Sequence, residues 1–269
     1  MINPPRPPSP FSPLFSPFLS PQVYLVAKQC ADPTPPDEYA LRLARFLVDE
    51  YPLVSVAKVS VRASPWTRAV VGGAPHSHGF VGGGDGATPV RTAAAVARRG
   101  GPSTLTAGVD GWRLLKTTRS GYSGFLHDRH TLLPDTADRV AATSVTATWR
   151  YSGPAAYDAA YDAALAAMAG AFFGPSATGV FSPSLQFTLR AMGEAVLAAV
   201  PAADSVHLRL PNLHFIPVSP PGIDAKFDND VYVATSEPHG TIEATLTREG
   251  GVGGAHVRLW DEGGPASRL

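Results

Sequence analysis

Four polar side chains in the second half of the chain have the types and spacing to do chemistry: Arg139, Gln186, Asn212 and His214. Asn212 and His214 close a run in which Val206, Leu208 and Leu210 alternate onto one face of a strand, so the buried face turns polar at one end. A bulge at Pro211 that turns both groups to solvent is the competing reading. A histidine there suits proton transfer, since its ordinary pKa lies near neutral pH. Arg139 presents a planar guanidinium fork that can pair with the oxygens and nitrogens of a flat, acidic heterocycle and stays charged when partly desolvated. Taken alone, it reads as a solvated arginine at the start of a strand. Gln186 falls in the first turn of a helix, where free backbone amides and the positive dipole end favour an electron-rich ligand edge. Its amide donates and accepts at once, matching a ring nitrogen beside a carbonyl. An exposed helix residue is the ordinary reading of one glutamine.

Other motifs carry less. Gly82-Gly83-Gly84-Asp85-Gly86 lacks the Gly-Lys-Ser/Thr ending of a phosphate loop and reads as a flexible turn. His76 and His78 share a strand face but have no third metal ligand, so a structural pair is the better reading. No Gly-x-Ser-x-Gly elbow surrounds Ser123. The single cysteine, Cys30, excludes an intramolecular disulfide and reads as a small buried hydrophobe. With 22 basic against 22 acidic residues, the chain lacks the basic excess that nucleic acid or an anionic membrane surface requires. No apolar run reaches the roughly 18 residues of a membrane-spanning helix.

The elements that must position these residues alternate between helix and strand. A chain of 269 residues with 44% hydrophobic content can bury one or two ordinary cores. Pro35-Pro36-Asp37-Glu38 starts an amphipathic helix with apolar positions Tyr39, Leu43, Phe46 and Leu47, its acids near the positive dipole end. Leu53 to Val61 alternates as a strand, and Trp112 to Tyr122 and Arg139 to Tyr151 read as two long ones. Two helices follow. Tyr157, Tyr161, Leu165, Met168 and Phe172 mark the first, and the second starts at Ser182-Pro183, a capping serine before a proline at the first helical position, and ends before Pro201. Val206 to Val218, Val231 to Thr235 and Thr241 to Arg248 supply further strands. From residue 112 the order is strand, strand, helix, helix, strand, strand, which predicts an α+β fold with an antiparallel sheet and two helices on one face.

Four stretches together resemble urate oxidase: Leu115-Lys116-Thr117-Thr118 to Phe125, Asp138-Arg139 to Trp149-Arg150-Tyr151, Ser182-Pro183-Ser184-Leu185-Gln186 to Leu189, and Leu210-Pro211-Asn212-Leu213-His214-Phe215. The resemblance implies tandem tunnelling-fold units, each a sheet crossed by two helices, that close into barrels. Residues 112–248 look like the complete second unit and residues 23–111 like an incomplete first one, whose two opening strands have no counterpart. It implies that Arg139 and Gln186 grip a purine beside the Leu185 backbone and that Tyr122, where the family has phenylalanine, stacks on the ring. Asn212 then lies near dioxygen and His214 in a proton relay. It further implies a homo-oligomer, tetrameric in the family, that converts urate, dioxygen and water to 5-hydroxyisourate and peroxide with neither metal nor organic cofactor. A non-catalytic purine-binding protein and a pterin enzyme of the same fold are the alternatives.

In the family a lysine and a threonine of the first unit form the dyad that removes a proton. Ser16 stands at the threonine's offset, but Pro17 replaces the acid beside it, and neither role carries over. The expectation is a truncated chain with weak or no activity. Eight prolines in residues 1–22 predict an extended, disordered start. Residues 249–269 read as a flexible glycine-rich tail. Its end, Ser267-Arg268-Leu269, is a variant peroxisomal address, which implies an import receptor as partner and the peroxisome as location.

Overall fold

The computed structural model describes residues 16–30, 33–64, 66–82, 88–132, 134–218, 230–235 and 239–248. The first fifteen residues, the glycine run at 83–86 and the whole tail with Ser267, Arg268 and Leu269 lie outside them. In chain order the elements are α1 (Ser16–Gln29), α2 (Pro36–Glu50), β1 (Val56–Ala63), β2 (Trp66–Val71), β3 (Ala74–Gly82), β4 (Val90–Arg98), β5 (Thr104–Lys116), β6 (Ala141–Tyr151), α3 (Tyr157–Phe173), α4 (Leu185–Ala199), β7 (Ala203–Pro217), β8 (Tyr232–Thr235) and β9 (Thr241–Thr247).

The expected α+β architecture is present. Seven antiparallel strands form one sheet in the order β1-β4-β5-β6-β7, and β7 carries β9 along its first half and β8 along its second. One face holds Ala93, Ala95 and Ala97 of β4, Leu105, Ala107 and Val109 of β5, Val145, Ala147 and Trp149 of β6 and Val206, Leu208 and Leu210 of β7, all in one buried cluster with α2, α3 and α4. Burying side chains such as Trp149, Met168, Phe172 and Met192 stabilises the fold by about 1.5–3 kcal/mol each. Gly193 lets α4 approach β9 closely, since a Cβ there would stand 2.8 Å from the Leu246 side chain. The opposite face is polar, with Thr146 and Arg62 bonded to Asp110 and Arg150 forked onto Asp204. An antiparallel sheet with one face toward helices and one polar reads in sequence as alternation, which is why these strands were legible.

Several expectations change. Residues 16–22, expected to be extended, form the first half of α1 with Pro21 inside it. Proline denies the helix one hydrogen bond, but tertiary contacts outweigh that loss: Val26 is buried, Tyr39 Oη donates to the Val23 carbonyl and Gln22 Nε2 donates to Tyr51 Oη. Cys30, just past α1, is half-buried rather than buried. The strand expected from Trp112 to Tyr122 runs from Thr104 to Lys116, and the one expected from Arg139 starts at Ala141. On α2 the buried stripe is Asp37, Ala40, Leu43, Ala44 and Val48, so Tyr39 and Phe46 flank it. β2 and β3 form a separate hairpin turned by Gly72 and Gly73, both at positive φ, the geometry a two-residue turn requires. His76 and His78 lie on β3 with rings 4.5 Å apart, and among the described residues no three potential ligands cluster around a metal position.

Asp37, expected only to favour the helix dipole, is fully buried. Its carboxylate meets Arg91 of β4 at 2.6 Å, while Arg91 also reaches Asp158 of α3 at 2.6 Å and lies over the Tyr161 ring at 4.5 Å. Burial pushes the Asp37 carboxyl above its ordinary pKa against the pull of Arg91. Arg91→Met leaves that carboxylate without its cation and is expected to destabilise the chain by about 3–5 kcal/mol in urea unfolding, with much of the loss recovered when Asp37→Asn is added. Ser184, whose side chain accepts from the Phe187 amide at 3.1 Å, is the N-cap of α4 in place of the expected Ser182. In the same assay Ser184→Ala is expected to cost about 1 kcal/mol.

Candidate functional site

Beyond Lys116 the chain leaves the sheet but stays bonded on both sides. Ser182 N donates to the Arg119 carbonyl at 2.8 Å and Gly121 N to the Ser182 carbonyl at 2.9 Å, which ties in the segment leading to α4. Arg139 N donates to the Ser120 carbonyl at 2.7 Å, and Tyr122 and Thr136 exchange two bonds of 2.8 Å, which ties in the segment leading to β6. Arg119 holds the left-handed region at φ 64°, an unfavourable backbone for a side-chain-bearing residue, and persists because its carbonyl is bonded to Ser182. Asp138 adds a side-chain tie. Its carboxylate accepts from Thr118 Oγ1, and that bond, with help from nearby backbone amides, holds its pKa below the ordinary carboxylate value.

Arg139 and Tyr122 are brought together on this scaffold, with the guanidinium carbon 5.5 Å from the ring centroid. Arg139 is half-buried two residues before β6, not at the start of the strand. Its Nε is enclosed with no hydrogen-bond partner, and among the described residues no carboxylate pairs with it. Burial therefore lowers its pKa, with Tyr122 working the other way. A desolvated cation with free donors beside an aromatic ring is built to receive a planar anion. Phe125 stacks on Tyr122 at 4.5 Å and His127 on Phe125 at 4.3 Å, so Tyr122 stands between the Phe125 ring and the Arg139 guanidinium.

Leu185 is buried at the start of α4, and Gln186 is exposed in its first turn. Gln186 opens onto a groove of about 520 Å³ between α4 and β9, shared with Leu189, Arg190 and Ile242. No hydrogen bond joins Gln186 to Arg139 among the described residues; what relates them is the backbone from Ser182 through Ser120.

Asn212 and His214 keep the parity of Leu208 and Leu210. The pairing of β7 with β6 holds one register from His207 opposite Thr148 to Leu213 opposite Ala142, and Pro211 faces Thr241 of β9 in the register of its neighbours. No bulge occurs at Pro211, so the competing reading is excluded. The one break in this pairing lies at Arg150 and Tyr151. Asn212 is half-buried opposite Thr143, whose fully buried hydroxyl has no partner, and His214 is half-buried opposite Thr235. The last pair of this register is Ala142 opposite Leu213, so Arg139, two residues before β6, lies at the same end of the sheet as Asn212 and His214.

The roles of Lys116, Thr118, Ser120 and Asp138 were missed by sequence reasoning. The dipeptide Lys116-Thr117 lies in a stretch that was noticed, yet nothing local shows that Lys116 bonds Ser182, 66 residues away.

Known proteins place this arrangement. The family model described as Uricase matches residues 105–243. Uricase-2 of Phaseolus vulgaris is 42% identical over 238 residues, covering 84% of this chain and 76% of the relative. The uricase of Arabidopsis thaliana is 40% identical over 240 residues with the same coverage. Among solved structures, the uricase from Arthrobacter globiformis superposes with a TM-score of 0.76 at 31% identity, covering 86% of this chain and 76% of that one. With the sheet, the helices and the polar end of β7 all in place, the chain belongs to the uricase family.

Proposed function

We propose that the chain binds urate between Arg139 and Gln186 and that its reaction is the two-electron oxidation of urate by dioxygen. By family it is a urate oxidase-type enzyme. In the balanced reaction urate, dioxygen and water give 5-hydroxyisourate and hydrogen peroxide. The observation that carries this reading is the half-buried Arg139 guanidinium, unpaired beside Tyr122. A urate monoanion would neutralise that charge and satisfy its donors, and the Gln186 amide can meet a ring nitrogen beside a carbonyl.

Asn212 and His214 supply the polar groups next to that position, Asn212 to hold dioxygen or water and His214 to pass protons through water. Tyr122, with Arg139 over its ring, lines the aromatic side of the same position. The reading also includes a homotetramer, no organic cofactor, and peroxisomal import through Ser267-Arg268-Leu269, where peroxide release fits the location.

The test is to mix the full chain with urate in air-saturated buffer, following urate absorbance and peroxide together, and to measure urate binding without oxygen. The expected result is urate binding without oxygen and, in air, loss of urate matched by release of peroxide. Arg139→Ala is expected to weaken anaerobic binding about 100-fold and Gln186→Ala about 10-fold, in line with charged and neutral hydrogen bonds. Binding indifferent to Arg139→Ala would overturn the site. Urate binding with neither urate loss nor peroxide release in air would overturn the oxidase reading.

A further inference from the structure

Lys116 ends β5 opposite Ala141 and sends its side chain into the connection between α3 and α4. Its Nζ lies 2.7 Å from Ser182 Oγ, 3.0 Å from the Val180 carbonyl and 3.2 Å from the Phe172 carbonyl, so each of the three ammonium protons has an acceptor. The Phe172 ring lies 5.3 Å away. Among the described residues no carboxylate pairs with it, and burial pushes its pKa below that of an ordinary lysine. An unpaired, part-buried ammonium works against folding. The sheet does not need it, because the buried Leu114 two residues earlier shows that an apolar side chain suits this face.

The acceptors show what the charge does. Phe172 sits in the last turn of α3, where carbonyls lack partners and the dipole is negative. Val180 and Ser182 belong to the lead-in to α4, which is folded back on α3 by the Val180 amide bonding the Phe173 carbonyl at 3.0 Å. Since an ammonium can only donate, Ser182 Oγ accepts from Lys116. That oxygen also lies 2.7 Å from Thr188 Oγ1, which reaches the Ser184 carbonyl at 3.0 Å. A continuous polar path thus runs from Lys116 to the N-cap of α4, one and two residues ahead of Leu185 and Gln186.

We propose that Lys116 is a positioning residue for the substrate: its ammonium fixes where α4 begins, and so sets the placement of the Gln186 amide relative to the Arg139 guanidinium. The same backbone segment carries both halves, with 180–182 held by Lys116, Arg119 and Gly121, and 138–139 held by Thr118 and Ser120. The inference rests on the reading of Arg139 and Gln186 as the urate grip. Lys116→Met keeps length and apolar bulk but removes the ammonium that donates to Ser182 Oγ and to the Val180 and Phe172 carbonyls, while Lys116→Arg keeps a charge and several donors.

The experiment measures anaerobic urate binding by calorimetry for the full chain with Lys116→Met and Lys116→Arg. Lys116→Met is expected to weaken binding about 10-fold and Lys116→Arg to restore most of it. In the native chain affinity falls as pH rises through the lowered lysine pKa, and in Lys116→Arg it persists to higher pH. Unchanged affinity in Lys116→Met, or equal loss in both variants, overturns the proposal. If Lys116→Met does not fold, Ser182→Ala, which removes the shortest of the three bonds, serves instead, and unchanged affinity there also overturns it. If the native chain binds no urate, the functional reading is what has failed. Amide exchange over Leu185–Thr188 then decides Lys116 alone: faster exchange in Lys116→Met but not in Lys116→Arg sustains the positioning of α4, and equal exchange ends it.

Discussion

The site depends on a short length of extended chain, Ser120 and its neighbours, that continues past the end of β5 with a different partner on each edge. On one edge Ser182 bonds Arg119 and Gly121, and on the other Arg139 bonds Ser120. These are backbone bonds in and around buried serines, where an unmade bond costs about 1–3 kcal/mol, so the segment and both partners are held as one body. The left-handed Arg119 is the local strain this lacing tolerates. The guanidinium of Arg139, two residues ahead of β6, and the amide of Gln186, in the first turn of α4, are placed by the same few residues.

The sheet supplies the third component independently. β7 runs through the core with Val206, Leu208 and Leu210 fully buried, then continues in unbroken register until its inward positions are Asn212 and His214. Its register is fixed by the core, since a slip of one residue would expose every buried side chain on the strand. The core therefore brings the polar end of β7 to the end of the sheet where the chain enters β6 just after Arg139. Asp37, Arg91 and Asp158 perform a comparable service elsewhere, fastening α2, β4 and α3 by one buried cation.

How far the sequence reveals this follows from the range of each signal. Alternation is local, so the shared parity of Leu210, Asn212 and His214 was legible from eight or so residues, and helical spacing placed α3 and α4 within a few residues of their ends. Signals that depend on distant partners were not legible. The proline count in the first residues argued against α1, and only its packing on Tyr39 and Tyr51 explains the helix. The first half of β5 is rich in threonine, alanine and glycine, a weak strand signature made firm by pairing with β4. Ser182 reads in sequence as the cap of α4, whereas Ser184 two residues on holds that place. What separates them is that Ser182 is occupied by Lys116, and nothing near either serine announces it. The orphaned donor on Arg139 and the stacking of Phe125 on Tyr122 are likewise properties of an assembled loop.

Pro211 has a consequence for motion. A proline has no amide proton to give, and along β7 it marks where the neighbours change: β9 accompanies the strand as far as Pro211, whereas β8 begins only at His214. Pairing with β6 ends at Leu213. Asn212 thus belongs to the part of the strand clamped by the sheet, with its amide also bonded to the Gly240 carbonyl at 2.8 Å, while His214 is the first residue held by a single four-residue neighbour. Local opening follows the number of bonds that must break together. The strand is therefore graded in stiffness across three residues, with Asn212 anchored in the rigid portion and His214 on the more weakly held tip, so that water can exchange beside the histidine without loosening the asparagine.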